Sequence, residues 1–328
     1  MKDKLYIVIP CYNEEKVLPV TAGLFLNELK DLIQKGKISD DSRILFVNDG
    51  SKDQTWDYIC ELAFSEKYFL GISQSRNRGH QNALWAGLME VKDKADITIT
   101  ADCDGQDDIN AMEKMVDAHH AGNEIVYGVR SSRDTDKFIK RITAEGFYKL
   151  MQFMGAEVIF NHADYRLLSS KVVRELANYK EVNLFLRGLI PLVGFTYTTV
   201  LYERQERMAG ESRYSLRKLL ALAFDGITSF SIKPIRMITG MGMCIAFFSF
   251  CAVIWSIFQY FMGETIAGWT SVTSILCFIG GLQLVSLGIL GEYIGKIYLE
   301  VKARPRSIIS DRVPLTLNNK EGENGKGE

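Results

Sequence analysis

The sequence predicts an α/β fold with a mostly parallel sheet, followed by two membrane-spanning helices. In the first 130 residues, short and continuously apolar runs alternate with amphipathic segments, which is typical of strands covered by helices on both faces. Farther along, Met237–Gly263 and Thr265–Gly291 contain no charged residue, and each is longer than the roughly 20 residues that cross a bilayer. The alternation therefore predicts βαβ units, and the two apolar runs predict a hairpin in a membrane.

The strands are predicted as apolar, β-rich runs, and the last of them is the strand-like FTYTTVLY at 195–202. The others are LYIVIP (5–10), RILFVND (43–49), FLGISQS (69–75), ADITITAD (95–102) and EIVYGVR (124–130). Amphipathic helices are predicted between them, near Glu15–Gln34, Asp53–Phe64, Gly79–Val91 and Asp108–Ala121. A basic amphipathic helix is expected from about Asp136 to Met154.

The composition excludes some classes of protein. The 328 residues carry a net charge of −1, which argues against a nucleic-acid-binding protein that relies on a basic field. The six cysteines form no CxxC pair, so we interpret them as small apolar residues in a reducing compartment. The apolar part of MKDKLYIVIPCYNEE is too short for a signal peptide.

Basic residues set the predicted orientation of the hairpin. Lys233 and Arg236 precede the first apolar run, basic residues also follow the second, and the connecting loop carries only Glu264. The positive-inside rule then places both chain ends in the cytoplasm, on a multi-pass protein of the cell (inner) membrane. The predicted organisation is a cytoplasmic domain at 1–213, an amphipathic juxtamembrane helix at 214–233, two transmembrane helices at 234–300 and a partly disordered cytoplasmic tail at 301–328. A plain core helix is the alternative for the juxtamembrane helix.

Polar clusters follow four of the predicted strands: CYNEE, NDGSKDQT, SRNRGHQN and DCDGQDD. The carboxyl ends of parallel strands meet at one edge of a sheet, where ligands bind. Asp102 and Asp104 offer hard oxygen ligands a short step apart, which suit Mg²⁺ or Mn²⁺ together with phosphate oxygens. A solvated acidic turn is the alternative, but Asp49 and Glu14 at neighbouring strand ends favour a site for a metal and a nucleotide.

Four motifs in this order, IPCYNEE, VNDGSKDQT, RNRGHQNAL and ADCDGQD, resemble the family 2 glycosyltransferases, which have the Rossmann-like GT-A fold. With the two apolar runs, the sequence is most similar to the polyprenyl-phosphate glycosyltransferases, such as the dolichol-phosphate mannose synthases and the bactoprenol glucosyltransferases. The resemblance covers roughly Leu5 to Arg306. It implies that the 1–213 domain is a metal-dependent hexosyltransferase.

The resemblance also implies roles for residues at the strand ends. The base and ribose pocket would be lined by Pro10, Tyr12, Asn13 and Glu14, and the uracil or ribose would be recognised by Asp49 and Gly50. Asp102 and Asp104 would flank the pyrophosphate, with Asp104 as the more direct metal ligand. Gln106 and Asp107 would contact the sugar, although capping of the following helix is an equal alternative for this pair.

An acceptor that is already an anionic phosphate needs a cationic cradle rather than a base. The candidates for this cradle are Arg141, Arg204, Arg207 and Arg213, with Ser212 as a hydroxyl donor. A charged surface helix with Glu–Arg pairs is the alternative for this segment. His162 departs from the serine-bearing loop of the dolichol-phosphate mannose synthases, which leaves open which residue of NHADYR approaches the phosphate. A structural role is the alternative for Asp164 and Arg166.

For function, the resemblance implies inverting transfer of a hexose to undecaprenyl phosphate on the cytoplasmic leaflet, for cell-envelope glycan modification. The donor would be a nucleotide diphosphate sugar, UDP-glucose or UDP-N-acetylglucosamine, and the other partners a polyprenyl phosphate and the lipid bilayer; a homo-oligomer is left open. A processive polysaccharide synthase is disfavoured because Gln205 is followed three residues later by Met208, so a Gln-x-x-Arg-Trp motif is absent. A non-catalytic, lipid-binding scaffold is disfavoured by the intact acidic strand ends.

Overall fold

The computed structural model describes residues 2–131, 162–181, 184–203, 233–262 and 268–314. The basic helix predicted from Asp136 to Met154 lies outside the described residues, as does the juxtamembrane helix at 214–233 apart from its last residue. The polar end of the tail, from 318 onward, lies outside them too.

Strands and helices alternate through the first part of the chain, as the sequence predicts. The strands are β1 (Leu5–Cys11), β2 (Arg43–Asn48), β3 (Phe69–Gln74), β4 (Ile97–Thr100), β5 (Ile125–Arg130), β6 (His162–Ser169), β7 (Tyr197–Tyr202) and β8 (Ile309–Val313). The helices are α1 (Leu18–Gln34), α2 (Thr55–Ser65), α3 (His80–Val91), α4 (Ala111–His120), α5 (Ser170–Leu176), α6 (Leu186–Leu192), α7 (Lys233–Phe261) and α8 (Trp269–Lys302).

All eight strands form one sheet in the order β7-β5-β6-β4-β1-β2-β3-β8. The pairs β1–β2, β1–β4, β2–β3 and β5–β7 are parallel. Antiparallel pairing is confined to β6, which lies between β4 and β5, and to β8 at the outer edge of β3. The predicted α/β fold with a mostly parallel sheet is therefore confirmed.

The main core lies between the sheet and α1 and α4. Ile7 and Ile9 of β1 pack in one cluster with Phe25 and Leu29 of α1, and all four are almost completely buried. The intervening Val8 points to the opposite face, since side chains alternate along a strand. There α3 lies so close that a Cβ added at Gly87 would be 2.3 Å from the Val8 side chain.

Two strands of the sheet were not predicted from the sequence. β6 has the sequence HADYRLLS, in which Asp164 and Arg166 interrupt the apolar pattern even though both side chains are buried. β8 has the sequence ISDRV, and its three central residues are exposed. A polar strand at a sheet edge carries little of the apolar signal on which strand prediction depends.

β8 belongs to a segment that we call the C-terminal strap, residues 305–313, which follows α8 and packs on the first part of the chain. The Arg306 guanidinium lies 4.3 Å from the centre of the Trp85 ring in α3, and it donates a hydrogen bond to the Tyr179 carbonyl at 2.6 Å. Arg312 forms an ion pair with Glu90 of α3 at 3.1 Å. The strap thus attaches a segment from the end of the chain to both β3 and α3.

The described residues of the second compact unit are those of α7 and α8, which contact each other. Both coincide with the predicted apolar runs. Among the described residues, one helical stretch, Phe278–Lys302, is long and apolar enough to cross a membrane, and Ile235–Ile245 is a shorter apolar stretch.

Candidate active site

The loops after β1 and β2 are bonded to each other at the carboxyl edge of the sheet. Asn13 has a φ of 55°, in the left-handed region that asparagine tolerates better than most residues. Its backbone N–H donates to Ser51 Oγ at 3.0 Å, and its side-chain oxygen accepts from the Lys52 N–H at 2.9 Å. The Glu14 N–H donates to Thr55 Oγ1 at 2.8 Å. Asn13 and Glu14 therefore hold the two loops together.

The residues predicted to line the base pocket differ in their exposure. Pro10 is buried within β1, opposite Val47 of β2 and beyond the last residue of β1 that pairs with β4. Tyr12, by contrast, is 42% exposed at the strand end. Of these two, Tyr12 is the side chain that a nucleotide can reach.

Asp49 is 2% exposed, and the loop after β3 binds its carboxylate. One oxygen accepts from Gln74 Nε2 and the Arg78 N–H, both at 2.8 Å, and the other accepts from the Gly79 N–H at 2.9 Å. Burial raises the pKa of Asp49, although the two backbone donors oppose this effect. The contacts give Asp49 the role of ordering the 76–79 loop beside the site.

Gly50 lies under the same loop, with a φ of +64°. A Cβ there would be 2.5 Å from the Arg76 carbonyl carbon and 2.6 Å from the Asn77 nitrogen, which are backbone atoms that cannot rotate away. Both the left-handed conformation and this close approach require glycine.

We expect Gly50→Ala to destabilise the protein by at least about 2 kcal/mol, because left-handed strain alone costs roughly 1–2 kcal/mol for a residue with a Cβ. Thermal unfolding of the full-length protein in detergent measures the effect. Gly23→Ala in α1 is the matched control, since an added Cβ meets nothing within 4 Å there and alanine favours the helix. Equal melting temperatures for the two variants would contradict the prediction.

Asp102 and Asp104 follow β4 and lie among other acidic side chains. The Asp102 side chain is 33% exposed, and partial burial together with the nearby Asp107, Asp164 and Asp104 raises its pKa to about 6, against the opposing effect of His80. Asp104 accepts a hydrogen bond from the Gln106 N–H at 3.1 Å. A group of carboxylates so crowded is stabilised by a bound cation.

These carboxylates fit a divalent cation that also binds a diphosphate. Among residues that the structure describes, no three His, Cys, Asp or Glu side chains are arranged to hold a metal ion unaided. Mg²⁺ is usually bound by one or two carboxylates plus waters and substrate phosphates, and Asp102 and Asp104 can supply the carboxylates of this donor set.

His80, at the start of α3, lies between Asp102 and a buried carboxylate of β6. Its Nε2 is 3.5 Å from Asp102 Oδ1 and 3.4 Å from Asp164 Oδ2. Burial would lower the pKa of His80, but the hydrogen bond to Asp164 and the charge of Asp102 outweigh it and raise this pKa. His80 lies in the RNRGHQNAL motif, but no pattern in the sequence singles it out.

Asp164 is the buried carboxylate of β6 that His80 contacts, and it is 4% exposed. It is the centre of a cluster that also contains His80, Gln81, Arg166 and Arg187. It accepts from Arg187 Nε at 3.2 Å and Nη2 at 2.9 Å, and from Gln81 Nε2 at 3.2 Å. Arg166, which is 1% exposed, donates to it as well. Burial would raise the pKa of Asp164, but these cations hold it well below its usual range.

Asp107 is 5% exposed and does not cap α4, because it is bonded to β5 and β7 instead. One carboxylate oxygen accepts from the Tyr202 hydroxyl at 2.5 Å and from Arg130 Nη2 at 3.3 Å. Arg130 Nε also donates to the Tyr202 oxygen at 3.1 Å. The capping alternative is thus wrong for Asp107, whose contacts position the loop after Asp104 against the sheet.

A cavity of about 450 Å³ lies on the other side of this loop, against one face of α1. Its lining is rich in acidic and amide side chains: Leu24, Asn27, Glu28, Asp31, Gly105, Asp107, Asp108, Ile109 and Asn110. Glu28 is 8% exposed, and its Oε1 has no hydrogen-bond partner in the described part of the chain. Burial and the neighbouring Asp31 raise the pKa of Glu28 to about 7.

Glu28→Gln should therefore stabilise the protein above neutral pH. Because the folded-state pKa of about 7 lies above the ordinary value of 4.5, ionisation of Glu28 costs stability progressively as the pH rises through this window. At pH 8 we expect the variant to be more stable by roughly 3 kcal/mol, since the two pKa values differ by about 2.5 and each pKa unit corresponds to about 1.4 kcal/mol. Melting curves at pH 5 and pH 8 test this, and a stability gain that is equal at both values would contradict it.

The residues of the predicted acceptor cradle all lie outside the described residues: Arg141, Arg204, Arg207, Ser212 and Arg213. His162 begins β6, but its side chain is not among those described.

The sequence of the chain matches two family models. One, described as Glycosyl transferase family 2, matches residues 6–177, slightly more than half of the chain. This chain belongs to glycosyl transferase family 2. The other, described as GtrB C-terminal hairpin, matches residues 233–297, which include α7 and most of α8. The resemblance drawn from the four motifs and the two apolar runs is therefore confirmed.

Curated members of the family are similar along almost the whole chain. The protein named "Uncharacterized glycosyltransferase YkoT" of Bacillus subtilis (strain 168) is 48% identical over 93% of this chain and 90% of its own length. The bactoprenol glucosyl transferase of Shigella phage SfX is 39% identical over 94% of this chain and 99% of its own length.

Among solved structures, the chain is similar to a glucosyl-3-phosphoglycerate synthase from Mycobacterium tuberculosis in complex with Mn²⁺, UDP-glucose and phosphoglyceric acid. The identity is 16% and the TM-score 0.46, over 69% of this chain and 78% of that one.

Proposed function

We propose that this family 2 glycosyltransferase transfers a hexose from a nucleotide diphosphate sugar to a polyprenyl phosphate, with inversion at the anomeric carbon. The observation that carries the proposal is the 39% identity to a bactoprenol glucosyl transferase over 94% of this chain and 99% of that protein. The likeness extends through the catalytic domain and the C-terminal hairpin alike, so it supports the lipid acceptor as well as the reaction class.

The donor would bind at the carboxyl ends of β1, β2 and β4. Tyr12 offers an exposed ring for the base, and the loops that Asn13 and Asp49 order would enclose the ribose. Asp102 and Asp104 would hold Mg²⁺ or Mn²⁺ against the diphosphate, where the ion supplies neutralisation of the charge that develops on the leaving group.

The acceptor phosphate oxygen would attack the anomeric carbon. A bond forms between that oxygen and the carbon, and the bond to the diphosphate oxygen breaks, so the nucleoside diphosphate leaves with the electron pair. The nucleophile is anionic at neutral pH and needs no proton removed, so a general base is not required. The protein's task is then to align two anionic groups on opposite sides of one carbon atom.

We also propose that the protein spans the cell membrane twice, with its catalytic domain in the cytoplasm. The C-terminal strap supports this, because β8 pairs with β3 in the sheet that β1–β7 also form. Segments paired in one sheet lie on one side of a membrane, so the chain between β7 and β8 would cross it an even number of times. The charge-free runs in α7 and α8 account for two crossings.

The function is tested by incubating the full-length protein in detergent with undecaprenyl phosphate and one radiolabelled donor at a time. Transfer of label from UDP-glucose or UDP-N-acetylglucosamine to a mild-acid-labile lipid phosphosugar is the expected result. Label in a long polysaccharide would support a processive synthase instead, and no turnover with any nucleotide sugar would refute the proposal.

Topology is tested by cysteine labelling in whole cells, in a variant that lacks the six native cysteines. A cysteine at Thr265 should react with an impermeant thiol reagent, whereas one at Asn318 should react only after the cells are lysed. The reverse pattern would overturn the cytoplasmic placement of the catalytic domain.

A further inference from the structure

The order of strands separates two sides of the candidate active site. β1, β2 and β3, whose following loops we assign to the nucleotide, lie on one side of β4, and β6 lies directly on the other. Asp102 follows β4 and thus marks the position of the diphosphate under the proposed function. An inverting displacement brings the nucleophile to the face of the sugar opposite the leaving group. The acceptor phosphate is therefore expected toward β6.

On that side the structure has more positive than negative charge. Asp164 is a single buried carboxylate, yet Arg166, Arg187 and His80 all contact it. Gln81 adds a fourth donor to the same group. The Asp102 carboxylate lies 3.5 Å from His80, and its proposed role is to bind the metal and the diphosphate. The excess of cationic groups suits an anionic ligand beside Asp102.

The cations of this cluster differ in whether a ligand can reach them. Arg166 is 1% exposed, which restricts it to balancing the charge of Asp164. The Arg187 side chain is 36% exposed, and it is the second residue of α6. Gln81 fixes the start of this helix, because its Oε1 accepts the Leu186 N–H at 3.1 Å. The Arg187 side chain is thus accessible to a ligand, while the backbone that carries it is held in place by Gln81.

The guanidinium of Arg187 is also held in one orientation. Its two bonds to Asp164 use Nε and Nη2, which lie along one edge of the planar group. Nη1 lies in the same plane, on the side opposite that edge, and therefore points away from Asp164. A guanidinium so fixed loses little conformational entropy when it binds a phosphate oxygen, for which its planar donors are well suited.

We propose that Arg187 binds the phosphate of the lipid acceptor, with Asp164 and Gln81 as positioning residues. The inference rests on the proposed function. It adds to the acceptor site a cation on the side of Asp102 where β6 lies. This cation belongs to the catalytic domain, whereas Arg204, Arg207 and Arg213 belong to the segment next to the predicted juxtamembrane helix.

The test uses the full-length protein in detergent with nucleotide sugar and a short-chain polyprenyl phosphate. Arg187→Ala should raise the acceptor KM and lower kcat/KM for the acceptor by about ten- to a hundred-fold, the loss of one charge-assisted contact. The Kd of the nucleotide, measured by calorimetry, should stay within about two-fold of the wild-type value. Arg187→Lys should recover part of the loss, because an ammonium keeps the charge but not the fork.

Arg174→Ala is the matched control, since this arginine of α5 is 59% exposed and forms an ion pair on the surface with Asp93, at 3.8 Å. Its kinetics should equal those of the wild type. If Arg187→Ala does not fold, Arg187→Lys decides: a raised acceptor KM at unchanged nucleotide Kd supports the proposal, and an unchanged acceptor KM overturns it.

Two other outcomes would also overturn the inference. A nucleotide Kd that rises while the acceptor KM stays constant would assign Arg187 to the donor diphosphate. Equal rates of sugar transfer to the lipid by the wild type and by Arg187→Ala would refute the role of Arg187. The proposed function would still stand in that case. Absence of lipid transfer by the wild type would instead refute the proposed function itself.

Discussion

Asp104→Asn should abolish sugar transfer while the protein remains folded. Asparagine keeps the shape of the side chain and removes one carboxylate charge from the pair that we assign to the divalent cation. Lewis-acid stabilisation of this kind is worth several kcal/mol, so a loss on the order of a thousand-fold in kcat is expected. Chelation of divalent ions with EDTA should stop the wild-type reaction in the same way, and added Mg²⁺ or Mn²⁺ should restore it.

Asp108→Asn is the control for this prediction, because Asp108 lies in the same loop and, within the described residues, its side chain bonds locally, to Asn110 at 3.1 Å. It should retain most of the activity. Metal binding can be followed without turnover by calorimetry of Mn²⁺ with the protein and the nucleoside diphosphate. Full activity in EDTA, or tight Mn²⁺ binding by Asp104→Asn, would refute the metal assignment.

Asp164→Asn should be the most destabilising of the substitutions considered. It removes the counter-charge of Arg166, whose guanidinium is 1% exposed and whose Nε and Nη1 have no hydrogen-bond partner within the described ranges. Removing one partner of a buried ion pair typically costs 3–5 kcal/mol, so we expect a loss of about that size. Urea unfolding of the detergent-solubilised protein measures it.

The double variant Asp164→Asn with Arg166→Met separates the charge effect from the loss of packing. Methionine removes the stranded charge, so the second substitution should recover part of the stability lost by the first. Asp93→Asn is the surface control, since the Asp93 side chain is 71% exposed. If Asp164→Asn were as stable as Asp93→Asn, breaking the buried ion pair of Asp164 and Arg166 would not lower the free energy of unfolding by the expected amount, about 3–5 kcal/mol.

The sequence was informative where apolar patterns and strand order decide the structure. β1–β5 are recognisable because their apolar runs are largely buried on both faces. β7 is half exposed and is recognisable from its β-branched and aromatic residues instead. β6 was missed because Asp164 and Arg166 make a buried strand appear polar. The contacts of Asp164 with His80 and Arg187, which come from other elements, have no signature in the sequence. β8 was missed because it is an edge strand whose residues face the solvent.

The position of the candidate site could be predicted from the sequence. The hydrogen bonds and ion pairs between its residues could not. The convergence of loops follows from a parallel sheet, and Asp102, Asp104 and Asp49 lie at strand ends as predicted. The partners of the acidic residues in the site come from distant positions in the sequence. Tyr202 is the partner of Asp107, and His80 is the partner of Asp102. Such pairs depend on tertiary packing, so spacing along the chain cannot reveal them.

The C-terminal strap has a consequence for how the protein is made. The ribosome synthesises β8 only after α7 and α8, so the sheet cannot be completed until the apolar part of the chain has left the exit tunnel. Until then, β3 exposes the backbone groups that β8 later pairs. An open strand edge of this kind is prone to pair with other chains. A catalytic fragment that ends at residue 213 would keep that edge permanently open, so for soluble expression the 305–313 segment should be fused back to it through a flexible linker.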